Sequence, residues 1–94
     1  MKIIWSPQAG KDLLDIYQRI AADNPGAARR LHEKIVSRIQ DVGLMPQIGR
    51  AGRVPGTREL VIAGTPYTVP YRVRGEVLHI LRFYHASRLW PEVF

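Results

Sequence analysis

Apolar residues recur along the chain first with a helical period and then with a strand period. Lys2 to Trp5 is a short apolar, β-branched run, expected to form an N-terminal strand tied into a sheet. Ser6-Pro7 then places a capping side chain before a proline at the first helical position. Leu13, Ile16, Tyr17 and Ile20 follow at i, i+3, i+4 and i+7, one buried stripe of a helix. Lys11, Asp12, Asp15 and Arg19 fall mostly off that stripe, and Asp15–Arg19 has the spacing of an i, i+4 ion pair. Asn24-Pro25 repeats the cap-plus-proline signal. Ala28, Leu31, Ile35, Ile39 and Val42 mark a second stripe, which Gly43 is expected to stop. The two segments predict a helical hairpin that contributes core and no chemistry.

Beyond it the pattern breaks and then alternates. Leu44 to Gly56 contains Pro46, Gly49, Gly52, Pro55 and Gly56, which predicts an irregular loop of the kind that often carries function. Arg58 to Ala63, Tyr67 to Val73 and Val77 to Tyr84 read as three strands. Gly64-Thr65-Pro66 marks the first turn, and Gly75 supplies the positive φ of the second. In the middle run Tyr67, Val69, Tyr71 and Val73 share the face expected on the helices, leaving Arg72 on the open face. Pro70 cannot donate to a ladder and belongs at an edge or a bulge. The expected fold is α+β: a β-α-α-β-β-β order, with a mostly antiparallel sheet of about four strands backed by a helical hairpin. Its other face is expected to be concave and basic.

At 94 residues the chain is expected to form a single domain, residues 1–94. It has no cysteine, which excludes disulfides and thiolate metal sites and fits a reducing cytoplasm. No apolar run approaches the ~20 residues of a membrane span, so a soluble cytoplasmic protein is expected. The net charge is +6. Residues 50–94 hold seven arginines against Glu59, Glu76 and Glu92, so the excess leans toward the sheet half. That balance suits RNA or an acidic protein partner, because the guanidinium fork grips phosphate and carboxylate alike.

The candidate chemistry is narrow. His32, His79 and His85 are scattered without metal-ligand spacing, and no cofactor fingerprint is present. Paired carboxylates are not evident. What remains is a basic, histidine-bearing surface. Metal-free RNA cleavage needs a base, an acid and a cation for the developing phosphorane charge. His85 can serve as acid or base, with Arg88, Arg58 or Arg72 as the clamp. Arg50 and Arg53, flanked by glycines, can approach phosphate closely or stand as solvated loop arginines.

Several stretches together resemble the RelE/ParE superfamily of bacterial toxins from type II toxin–antitoxin modules. They are Gly49-Arg-Ala-Gly-Arg53, Thr57-Arg58-Glu59-Leu60, Pro66-Tyr67, Tyr71-Arg72-Val73 and His85-x-x-Arg88-x-Trp90-Pro91, in the strand–helix–helix–strand–strand–strand order. The resemblance implies a growth-inhibiting toxin neutralised by a cognate antitoxin. As its leading reading it implies a RelE-like, ribosome-dependent mRNA endoribonuclease working without metal or other cofactor. His85 and Arg88 are then the catalytic residues, and Arg50, Arg53, Arg58 and Arg72 the RNA phosphate contacts. The alternative is a ParE-like, non-enzymatic inhibitor of DNA gyrase. Two positions depart from the nuclease pattern: Thr68 stands where RelE-like enzymes usually carry a catalytic arginine, and Phe94 where some have a reactive tyrosine.

Overall fold

The structure is a computed structural model that describes residues 1–86, 90–91 and 94. The elements run in the expected order: β1 (Lys2–Trp5), α1 (Pro7–Asp23), α2 (Pro25–Leu44), β2 (Arg50–Ala51), β3 (Arg58–Val61), β4 (Tyr67–Arg74), β5 (Val77–Ile80) and β6 (Tyr84–His85). Among the described residues they make one sheet in the order β1-β5-β4-β3-β2, with β6 pairing β4 beyond the end of β5. Four strands have four or more residues, and β2 and β6 have two each. Among the described residues all pairings are antiparallel except β1 with β5.

The two helix starts follow from their caps. Ser6 Oγ accepts from Ala9 N at 2.9 Å and Asn24 Oδ1 from Ala27 N at 3.0 Å, each satisfying one of the donors a helix start leaves free. Ser6 also donates to the Leu81 carbonyl, and so ties the start of α1 to the strand layer. The predicted stripes meet the sheet. Leu13, Ile16, Ile35, Ile39 and Val42 are buried with Leu60, Ile62, Val69, Tyr71, Leu78, Ile80 and Phe83 in one cluster, with Tyr67 packed against it. The Tyr/Val face of β4 therefore lies on the helices up to Tyr71, while Val73 runs out into solvent at the strand end.

Four local expectations change. Gly43 does not stop α2, which continues through Leu44; the missing side chain instead admits Ile3, whose Cδ1 would lie 3.2 Å from a β-carbon there. The segment from Leu44 to Gly56 is not irregular throughout, because Arg50 and Ala51 pair with Glu59 and Arg58. No ion pair joins Asp15 to Arg19; Asp12, one turn earlier, forms the long-range pair of α1 instead.

The third run is not one strand. Between the pairs Tyr71–Ile80 and Thr68–Tyr84, β4 contributes Val69 and Pro70 whereas the opposing chain contributes Leu81, Arg82 and Phe83. The extra residue is a bulge, and Pro70 is its cause. Tyr67 accepts from Ile62 N, so alternation by two turns the Pro70 nitrogen away from β3 and toward this bulge. The Pro70 carbonyl still accepts from Leu81 N at 3.0 Å, and the Phe83 N–H is taken by Asp12. Gly75, at φ 60°, makes the β4–β5 turn as its sequence implies.

Candidate functional site

Residues opposite each other in a ladder project to one face, so the register assigns every candidate to a side of the sheet. Glu59, Pro70 and Arg72 alternate with the core residues Leu60, Val69 and Tyr71, and so lie on the face away from the helices. Arg50 lies opposite Glu59 and His79 opposite Arg72, which places them on that same face. Arg58 and His85 lie opposite Tyr71 and Tyr67, on the helix side. Arg88 falls outside the described residues.

Glu59 organises the far face. Its carboxylate is only 2% exposed. Arg50 donates to it through Nε and Nη2 at 3.2 and 3.0 Å. Arg53 donates through its backbone N–H at 2.7 Å and through Nε and Nη2 at 3.1 and 3.3 Å. Burial pushes this carboxyl up, but the hydrogen bonds from the Arg53 backbone, the Arg53 side chain and Arg50 outweigh it. The carboxyl is thereby held below the ordinary value of 4.5. An acid buried in a strand, six and nine residues after two arginines, is the signal that sequence reading missed. The loop arginines are anchored rather than freely solvated.

The arginine clasp carries an aromatic layer. The Arg53 guanidinium lies 3.9 Å above the Trp90 ring, and Trp90 packs edge-on against Tyr84 at 4.8 Å. Phe94 stacks on Tyr84 at 6.1 Å. Since Tyr84 lies opposite Thr68, this layer covers the part of the face that holds Glu59, Thr68 and Pro70, all buried. The face expected to be open is thus partly roofed by aromatic rings. Two donors there have no acceptor among the described residues: Nε of Arg72 and Nε1 of Trp90, both buried. A buried unpaired donor costs about 1–3 kcal/mol, so such atoms mark a place to look for a ligand.

On the helix side the candidates sit at opposite ends of β4. Arg58 Nη1 donates to the Gly49 carbonyl at 2.9 Å. Beside it the Tyr71 hydroxyl donates to Pro46 O at 2.6 Å and accepts from Gly49 N at 2.9 Å, closing the loop over the strand. Burial raises the Tyr71 pKa above 10, against the smaller opposing effects of the Gly49 N–H and Arg58. His85 is exposed and meets Tyr67 edge-on at 5.7 Å. It borders a cavity of about 370 Å³ with Asp12, Asp15, Arg19 and Phe83. Four strand residues separate the levels of Arg58 and His85, roughly 13 Å at 3.3 Å per residue. Among the described residues, no arginine of the predicted phosphate set shares His85's position.

This α+β arrangement, a helical hairpin on one face of a mostly antiparallel sheet, is that of the RelE/ParE superfamily toxins. The model of the ParE toxin of the type II toxin–antitoxin system parDE matches residues 3–90. The chain belongs to that family, and a type II toxin has a cognate antitoxin as its partner. It is 39% identical to "Putative toxin Y4kP" of Sinorhizobium fredii (strain NBRC 101917 / NGR234), over 98% of this chain and 95% of that protein. It is 32% identical to "Toxin RelE2" of Caulobacter vibrioides (strain ATCC 19089 / CIP 103742 / CB 15), over 94% and 98%. Among solved structures, a chain of the "Chromosomal ParDE TA system from P. aeruginosa" superposes with a TM-score of 0.81 at 30% identity, over 90% of this chain and 95% of that one. The "YoeB/ParE toxin from Agrobacterium tumefaciens" shares the fold, with a TM-score of 0.62 at 22% identity over 90% and 98%. Among the described residues no helix is long and apolar enough to cross a membrane.

Proposed function

We propose that this toxin is ParE-like in action: it inhibits growth by binding DNA gyrase, without cleaving RNA, and is neutralised by its antitoxin. The observation that carries this reading is the division of the candidate residues between the two faces of the sheet. A metal-free ribonuclease needs its acid or base and its phosphate clamp around one scissile bond, within hydrogen-bond reach. Here His85 is on the helix side, with Arg58 on that side but roughly 13 Å away along the strand, whereas Arg50, Arg53 and Arg72 are on the other. Arg50 and Arg53 are further committed to Glu59. Thr68, buried in mid-sheet, leaves no catalytic arginine at its position. The match to the ParE model and the ParDE neighbour point the same way. The order of the two sequence-based expectations is therefore reversed.

The competing reading keeps His85 and Arg88 as the catalytic pair of an mRNA endoribonuclease, with Arg50, Arg53, Arg58 and Arg72 on phosphate. Its specific support is the 32% identity to the relative named Toxin RelE2. A His85→Ala/Arg88→Ala double variant separates the two. Expressed without antitoxin and verified as folded, it should still arrest growth. A folded double variant that has lost toxicity, together with mRNA cleavage by the parent protein, overturns the gyrase reading.

A further inference from the structure

We propose that the end of the sheet nearest the β4–β5 turn binds the sugar–phosphate backbone of duplex DNA, through Lys2, Arg72 and Arg74 with His79 among them. The register puts these four residues on one face. Lys2 lies opposite Val77, and Val77 opposite Arg74. Two residues along, Ile4 lies opposite His79, and His79 opposite Arg72. Their neighbours within the strands, Ile3, Trp5, Leu78, Ile80 and Tyr71, belong to the core or pack on it. By alternation both rows therefore face away from the helices. The rows are about 7 Å apart, and each spans three strands, about 10 Å. Lys2 and Arg74 are exposed, whereas Arg72 and His79 are half-buried.

The partner follows from what the two rows contain and lack. Three of their six residues are cationic, a fourth is the imidazole, and neither row holds an acid. On the adjoining chain Glu76 stands in the turn itself, and Glu59, further along the face, is already held by Arg50 and Arg53. The core of a protein–protein interface is depleted of charge and rich in aromatic rings, whereas a DNA-binding surface is strongly positive. Single-stranded nucleic acid is held by stacking its bases on aromatic rings. The rows contain no Trp, Tyr or Phe; Trp90 and Phe94 gather on Tyr84, opposite Thr68 and toward the start of β4. A duplex keeps its bases stacked inside and presents about one phosphate charge per 1.7 Å of axis, so several fall within reach of such a patch. The proposal goes beyond gyrase inhibition and does not rest on it, because free DNA is enough to test it.

The test is fluorescence anisotropy of a short labelled DNA duplex titrated with full-length toxin, free of antitoxin, over a range of salt concentrations. Each phosphate contact contributes about 0.9 to the slope of log affinity against log salt. Lys2→Gln/Arg74→Gln changes two exposed positions and should lower that slope by about two, weakening binding by more than about tenfold at moderate salt. Arg74→Gln alone stands in if the double variant misfolds, with a fall of about one. Arg29→Gln/Arg30→Gln removes the same charge from exposed positions on α2 and should leave the slope nearly unchanged. No duplex binding at low salt, equal losses in the two double variants, or an unchanged slope in a folded face variant overturns the proposal. Tighter binding of a single-stranded RNA of the same length, lost in the same face variant, assigns the face to RNA and overturns it equally. Duplex binding that follows these variants supports the site even where gyrase supercoiling is unaffected, so a failure of the gyrase reading is read separately.

Discussion

Arg82 and Asp12, seventy positions apart, form a two-pronged ion pair: Nε to Oδ2 at 2.6 Å and Nη2 to Oδ1 at 3.0 Å. The same Oδ2 also accepts the backbone N–H of Phe83 at 3.0 Å. One carboxylate on α1 therefore holds the bulge that Pro70 imposes between β5 and β6. The hydrogen bond to Asp12, against the opposing effect of burial, raises the Arg82 pKa further, so the guanidinium stays charged at any working pH. Both side chains are largely shielded, 23% and 12% exposed for Arg82 and Asp12. Replacing one member leaves the other and an N–H without partners. Asp12→Ala should cost about 2–4 kcal/mol in urea denaturation. A change below about 0.5 kcal/mol, the scatter of ordinary surface substitutions, contradicts this role.

Glu59 predicts an acid limb. A carboxyl whose native pKa is depressed contributes stability that is present above its unfolded value and lost as pH falls through the native value. The wild-type protein should therefore lose stability progressively as pH drops below the ordinary 4.5. Glu59→Gln should be less stable at neutral pH and should lack that part of the acid dependence. Parallel pH profiles for the two proteins would remove Glu59 from the account.

The helical hairpin was legible in the sequence because caps, prolines and apolar stripes all act within one element. Ser6-Pro7 and Asn24-Pro25 start their helices as read, and Gly75 makes its turn. The failures are long-range. Gly43 resembles a helix stop, but its true constraint is Ile3, forty residues away. Pro70 signals a bulge, yet the extra residue lies on the opposing chain. Asp12 and Glu59 read as unremarkable acids, because the arginines they hold meet them only in the folded chain. The candidate residues were identifiable by type, but their separation onto two faces depends on a register no local pattern encodes.

Tyr71 predicts a tightly packed loop closure. Its hydroxyl serves Gly49 N and Pro46 O at once, so Tyr71→Phe leaves the buried Gly49 N–H and the half-buried Pro46 carbonyl without it and should cost roughly 1–3 kcal/mol. Gly49→Ala should cost at least as much. A β-carbon there would fall 2.5 Å from the Tyr71 hydroxyl and 2.7 Å from its ring, and the buried ring has no room to yield. Thermal denaturation of the two variants checks both, and a Gly49→Ala protein as stable as wild type contradicts the close approach.

The claim that the toxin acts by binding rather than by catalysis is tested most directly by purified toxin, free of antitoxin, in a gyrase supercoiling assay run beside a translation extract programmed with defined mRNA. The account predicts loss of supercoiling with accumulation of cleaved DNA, and intact mRNA on the translating ribosomes. Cleaved mRNA with gyrase activity undiminished would contradict it.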